Sequence, residues 1–114
     1  MGHNKTKKRT SGVLYREVGA DNSHAEILNR SNKTIKVTAY AFDWEDTMEP
    51  ELIKTETLTI PPGTRATFDS DATRHFEVLF ETDKHKELII NLYFRDRDNC
   101  SVGNTFYNNE FVDL

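Results

Sequence analysis

From residue 13 onward, apolar and polar residues alternate with a period of two in short runs separated by turn formers. The clearest run is 34–44, where Ile35, Val37, Ala39 and Ala41 fall on one side and Lys36, Thr38, Tyr40 and Phe42 on the other. Such alternation in β-branched and aromatic residues predicts a strand, because successive strand side chains point to opposite faces. Residues 54–60 (KTETLTI) set Lys54, Glu56, Leu58 and Ile60 against Thr55, Thr57 and Thr59. Pro61-Pro62-Gly63 then stops the run, since proline lacks a ladder donor and glycine accepts positive φ. Residues 75–81 oppose Phe76, Val78 and Phe80 to Glu77, Leu79 and Glu81. The most apolar run, 87–95 (ELIINLYFR), puts Leu88, Ile90, Leu92 and Phe94 on one face and predicts a central strand. Weaker runs at 13–18, 25–28 and 65–69 add three more strands, and 105–114 a last one after a loop at 96–104.

Seven or eight short strands at roughly ten-residue spacing, with no helix-period competitor, predict an all-β fold. The expected architecture is an antiparallel two-sheet β-sandwich of jelly-roll or immunoglobulin-like topology. With 114 residues there is room for one domain, here 13–114, able to bury about two-thirds of its unfolded surface. Only 36% of residues are hydrophobic and mean hydropathy is −0.70, but aromatics reach 11%. The core is therefore small and built on large rings.

Charge divides the chain. Residues 1–12 hold Lys5, Lys7, Lys8 and Arg9 and no acid, leaving 11 basic and 19 acidic residues, net −8, in 13–114. This stretch reads as a basic N-terminal arm with a hinge at Ser11-Gly12. A basic arm can serve nucleic acid, yet the acidic body would repel phosphate, and Tyr93-Phe94-Arg95 is followed by Asp96 and Asp98. No nucleic-acid partner is expected.

Catalytic and metal-binding patterns are missing. The acidic loop 43–51 has no ordered calcium-ligand spacing, and Asp96-Arg97-Asp98-Asn99 lacks the glycine of an EF-hand loop, Ser101 standing at that position. Internal Asp–Arg pairing in a turn accounts for it better. His3, His24, His75 and His85 form no zinc motif, and Cys100 alone allows no internal disulfide. No nucleophile elbow, P-loop or dinucleotide fingerprint occurs. The sequence thus predicts no enzyme, no cofactor and no metal. Tyr40, Phe42 and Trp44 either complete the second face of their strand or form a sugar-stacking surface. No apolar run reaches the ~18 residues of a membrane span, and no secretory apolar region precedes the domain. Synthesis in the cytosol without membrane insertion is expected, with a cell or spore surface as a conceivable destination. Asn4, Asn29, Asn32 and Asn99 open N-x-S/T triplets that are read as chance.

A sandwich leaves edge strands whose free N–H and C=O groups can template another chain. An arm that fills such an edge on the next copy makes a head-to-tail contact that grows into a filament. The runs ILNRSNKTIKV, TLTIPPGTRATF and EVLF, with the late apolar strand, resemble the small jelly-roll subunits of bacterial endospore appendages. The pattern is equally similar to bacterial immunoglobulin-like modules. The first resemblance implies a structural, self-assembling subunit whose partner is itself, docking through Lys5, Lys7, Lys8, Arg9, Ser11 and Gly12. It departs from that family in having no cysteine in 1–12. The second implies a binding module for a protein or carbohydrate partner.

Overall fold

The computed structural model describes residues 6–46, 48–83 and 87–114; of the expected arm, residues 1–5, Lys5 among them, lie outside these. Two antiparallel sheets face each other. The six-stranded sheet contains β1 (Lys7–Thr10), β2 (Leu14–Tyr15), β4 (Ile35–Asp43), β5 (Glu51–Ile60), β7 (His75–Thr82) and β10 (Val112–Asp113). The four-stranded sheet contains β3 (Asn22–Asn29), β6 (Arg65–Asp71), β8 (Leu88–Arg95) and β9 (Ser101–Phe106). The all-β two-sheet sandwich expected from the alternation is therefore what the chain forms, and β8 is an inner strand between β3 and β9.

The order is β10-β1-β7-β4-β5 in one sheet, with β2 also on β7, and β6-β3-β8-β9 in the other. Strands β3, β4, β6 and β7 interlock as strands B, C, E and F of an immunoglobulin sandwich do. That fold sets its first strand beside its second. Here β1 lies beside β7, and β8 takes the place beside β3. The inward set is the one the alternation picks out. Ile35, Val37, Ala39 and Ala41 meet Phe76, Val78 and Phe80 on one sheet and Ile27, Phe68, Ile90 and Leu92 on the other. Rings cross the gap edge-on, Phe68 to Phe80 at 6.3 Å, the geometry aromatic quadrupoles favour.

The largest departures from expectation lie toward the two ends of the chain; elsewhere β3 and β5 begin three residues earlier than expected, at Asn22 and Glu51, and β6 runs on to Asp71. Residues 7–10 are no separate arm but a strand of this sandwich, paired with β7 on one side and β10 on the other. Arg9 lies opposite the inward-facing Phe80 and is buried because its guanidinium finds polar partners there. It donates to the Asn108 side-chain and backbone oxygens at 2.9 and 2.8 Å, and its centre lies 5.8 Å from the Phe111 ring. Its Nε sits 3.3 Å from the Asp113 carboxylate without hydrogen-bond alignment. The Ser11-Gly12 hinge is a β-bulge. Between the pairs Thr10–Leu79 and Leu14–Phe76, three residues (Ser11, Gly12, Val13) oppose two (Val78, Glu77). Gly12 takes φ +70, as such a bulge requires, and Ser11 is tied to Val78 by two 3.0 Å bonds.

The expected strand at 105–114 is divided, and β9 begins earlier, inside the expected loop. After Phe106 the chain makes a 3-10 turn at Asn108–Glu110 that returns Phe111 to the core, 4.9 Å from Phe106. The β8–β9 register slips after Leu92, so the Asn108 side chain, not a strand carbonyl, accepts from the Ile90 N–H at 2.9 Å.

At the opposite end, buried Asn29 joins two loops. Its Nδ2 donates to the carbonyls of Lys33 (2.7 Å) and Ile60 (2.8 Å), while Oδ1 accepts from the Ser31 N–H (2.8 Å) and hydroxyl (2.7 Å). Its backbone pairs with Gly63 and Thr64 at 3.0 Å each.

Candidate binding face

The two outer faces of the sandwich differ in chemistry. On the four-stranded sheet, the cross-strand row Asp69–His24–Tyr93 carries His24 with its two ring nitrogens 2.5 Å from Asp69 and 3.4 Å from Glu26. Arg65 binds Glu26 at 2.7 Å, and Arg95 lies 3.5 Å from Asp69 and donates to Asn22 at 2.9 Å. Arg65 holds the Glu26 carboxyl below the ordinary carboxylate range, against the opposing effect of burial. Burial, reinforced by the Glu26 charge, raises the Tyr93 hydroxyl. This face is closed by its own ion pairs.

The outer face of the six-stranded sheet carries the other half of the alternation. Because Val37, Ala39 and Ala41 point inward, Tyr40 and Phe42 must point out, and Trp44 follows at the strand's end; all three are half-buried. Tyr40 and Phe42 lie nearly parallel, 13° apart, with ring centres 6.1 Å from each other. Leu52 of β5 faces Phe42 and is half exposed. On the other flank β7 contributes Glu77, Leu79 and Glu81, with Glu77 directly opposite Phe42. Tyr15 of β2 stands edge-on to His75 at 5.4 Å and completes the row.

Polar tips on this face are anchored to carboxylates. Trp44 Nε1 donates to Glu77 at 2.8 Å, and the Thr10 hydroxyl donates to the second oxygen of Glu77. Thr10 Oγ1 in turn accepts from the Gly12 N–H at 2.9 Å, so the bulge positions the hydroxyl. Tyr40 donates to Glu81 at 3.2 Å, and Thr6 to the other oxygen of Glu81 at 3.2 Å. Burial raises the Tyr40 hydroxyl above its ordinary range, with the Glu81 carboxylate adding to the effect. Glu45 braces the end of the row, holding Arg74 at 3.0 Å and the His75 N–H at 3.2 Å. The Arg74 hydrogen bond lowers the Glu45 carboxyl, and Glu45 raises Arg74.

Of the arm residues singled out in the sequence, Lys7 and Lys8 are exposed along the β7 edge of their own chain, Lys8 opposite Glu81. Arg9 and Ser11 point into it, and Gly12 shapes the bulge. The structure gathers them in one place, on the same molecule. Sequence reasoning found Tyr40, Phe42 and Trp44 but missed Glu77, Glu81, Tyr15 and His75. Their only signal is that they alternate with the inward residues of 75–81 and 13–18. Among the described residues no group of three or more His, Cys, Asp or Glu side chains is arranged to hold a metal, and no helix is long and apolar enough to cross a membrane. The turn at 96–100 is held by the Asp96 carboxylate, which accepts from Asp98 and Cys100 N–H groups at 2.9 and 3.0 Å, and not by Asp–Arg pairing.

No family model matches this chain. No curated protein matches it either. The crystal structure of Thermotoga maritima 1070 superposes with a TM-score of 0.54 at 14% identity, covering 98% of this chain and 93% of that one. The two share a fold over nearly their whole lengths. Two crystal structures of a Listeria innocua β-glucosidase, a mutant with laminaribiose and a form with isofagomine, align at TM-scores of 0.33 and 0.32. They are 14% and 15% identical, and the chain covers 16% and 15% of them. At that level of superposition they carry no functional argument. Neither family resemblance drawn from the sequence gains a relative here; the two-sheet architecture is what carries over.

Proposed function

We propose that this protein is a non-catalytic binding module whose partner surface is the outer face of the six-stranded sheet. One observation carries this: the rings of Tyr15, Tyr40, Phe42 and Trp44 share that face, whereas the opposite face is consumed by its own ion pairs. Half-exposed aromatics with tethered polar tips bring large contact area at little loss of side-chain entropy, and such residues dominate the energetics of interfaces.

Self-assembly through a basic arm is less well supported by the same geometry. The edge of β7 that would receive a neighbour's arm is filled by the chain's own β1 and β2. The long edge strand β5 is blunted by Lys54 and Glu56, which stand opposite Ala41 and Ala39 on the inward side. Inward-pointing charges of this kind oppose edge-to-edge pairing.

Trp44 is the only tryptophan, so its emission reports on the face directly. Titration with a panel of oligosaccharides and peptides should find at least one compound class that shifts it. Phe42→Ala and Tyr40→Ala should abolish the response while leaving the fold intact by circular dichroism. If every compound that binds maps by amide NMR to the four-stranded sheet or its edges, the proposal is wrong. Light scattering of the intact chain at high concentration should give a mass near 13.2 kDa; growth into long particles would restore the self-assembly alternative.

A further inference from the structure

We infer that the occupant of this face is a cationic segment of another protein, an arginine- or lysine-bearing peptide whose charged head sits beside Glu77 against Phe42 and Trp44. The inference rests on the binding-face role proposed above and adds the chemistry of the partner. Its starting point is how this chain distributes its cations. On the four-stranded face, Glu26 has Arg65 and Asp69 has Arg95. At the end of the aromatic row, Glu45 has Arg74. Glu77 and Glu81 differ in receiving only neutral donors, the Trp44 indole N–H and the Thr10 hydroxyl on Glu77, the Tyr40 and Thr6 hydroxyls on Glu81; of the two, only Glu81 has a basic residue, Lys8, opposite it in the ladder.

The surroundings of Glu77 hold no substitute. On the pleated face its neighbours are Phe42 across the strand, His75 and Leu79 along it, and Thr10, Tyr15, Tyr40 and Trp44 on the diagonals. None is a lysine or arginine, and His75 is 3.6 Å from Glu45. Lys8 stands opposite Glu81 instead, four residues along β7 on the same face. The bulge at Ser11–Val13 keeps the adjoining chain from presenting a paired cross-strand side chain to Glu77. The result is a half-buried carboxylate between rings, with one donor on each oxygen and lone pairs left to accept more.

A cation answers both features at once. It neutralises the carboxylate through charge-assisted hydrogen bonds and lies over ring faces whose quadrupole attracts it. A guanidinium suits better than an ammonium, because it is planar, less strongly hydrated and able to bind a carboxylate while stacking on an aromatic ring. A neutral sugar would use the rings and leave the charge uncompensated. The chain as a whole has a net charge of −4, which attracts basic partners from a distance.

The test uses the intact protein and three octapeptides alternating glycine with arginine, lysine or citrulline, the last an uncharged isostere of arginine. A neutral oligosaccharide such as cellohexaose serves as a fourth probe. Binding is read from Trp44 emission and from the indole N–H resonance. Arginine peptide should bind more tightly than lysine peptide, and citrulline peptide at least about tenfold more weakly than arginine. Raising salt from about 0.1 to about 0.5 M should weaken the arginine peptide several-fold. Glu77→Gln should weaken it about tenfold. Asp98→Asn, the same charge change on the distant β8–β9 hairpin, should leave binding within about twofold. Equal binding of the arginine and citrulline peptides, or an unaltered affinity in Glu77→Gln, overturns the cationic partner. Because the citrulline and salt comparisons use the unmutated protein, they decide the matter even if Glu77→Gln does not fold. A response at Trp44 to cellohexaose alone also overturns it, while leaving the binding face standing. Peptide-induced shifts confined to residues outside the six-stranded sheet overturn both.

Discussion

Replacing Asn29 with alanine tests how the two loops at one end of the sandwich are held. The side chain is buried and makes four hydrogen bonds, to Lys33 O, Ile60 O, Ser31 N and Ser31 Oγ, between 2.7 and 2.8 Å. Truncation does not orphan all four partners. Ser31 Oγ, whose single proton lies between Asn29 Oδ1 and Lys33 O, can then give it wholly to Lys33 O at 2.8 Å, which keeps both of those groups satisfied. The Ile60 carbonyl, on a fully buried residue, and the half-buried Ser31 N–H are left without their partner. A buried unsatisfied group costs about 1–3 kcal/mol, so the expected loss is about 2–4 kcal/mol. For a domain of this size that corresponds to a fall in Tm of roughly 8–16 °C. Asn29→Asp is the sharper probe. It keeps the acceptor for Ser31 but turns the donor aimed at Lys33 O and Ile60 O into a second oxygen, so at neutral pH it should destabilise at least as much as alanine. Urea melts followed by circular dichroism should show a lower midpoint at unchanged slope. If both variants stay within about 0.5 kcal/mol of the parent, the range of ordinary surface changes, the assigned role of Asn29 is wrong.

Of the basic residues near the N-terminus, Arg9→Ala should lose about 2–3 kcal/mol and expose the bond after Phe111 to chymotrypsin, because Arg9 ties Asn108 to β1. Lys7→Ala and Lys8→Ala should change stability by less than about 0.5 kcal/mol. Gly103→Ala should cost about 1–2 kcal/mol, since φ is +74 and the new Cβ would lie 2.4 Å from the Glu17 side chain. Glu17 can swing aside, so Glu17→Ala should not rescue Gly103→Ala in thermal melts; full rescue would place the strain in the contact and not in the backbone. Glu26 has a folded-state pKa below its ordinary 4.5, so its stabilisation is complete above that value and lost as pH falls through the lowered one. The stability gap between the parent and Glu26→Gln should therefore shrink in melts taken from neutral pH down to about pH 3; a gap that widens would reverse the assignment. Tyr40 has its pKa raised above 10.0. Its contribution should persist below pH 10 and fade as pH rises through the raised value, a late phenolate absorbance that Tyr40→Phe removes.

The core was legible because every inward residue of β4, β7 and β8 sits on one parity of an uninterrupted alternation. The N-terminal strand was not, since Lys7 to Thr10 offers no apolar residue. Its inward position is filled by Arg9, which only the distant Asn108 and Asp113 make tolerable. The last strand misled for the opposite reason. Phe106 and Phe111 both seek the core, and five residues of extended chain would set them on opposite faces, so a 3-10 turn intervenes. At the binding face, Tyr40, Phe42 and Trp44 could be read from period two alone. That Glu77 lies opposite Phe42 is a fact of register between strands some thirty-five positions apart, which no local pattern encodes.

The placement of β1 between β7 and β10 also orders events during synthesis. Of the described strands β1 comes first in the chain, and its two neighbours lie about seventy and about a hundred residues downstream. Translation adds ~5–20 residues per second, so Lys7–Thr10 waits several seconds for His75–Thr82 and longer for Val112–Asp113. Until those strands exist, Lys7–Thr10 has no ladder to join, and with no apolar residue among its four it has little surface of its own to bury by collapse.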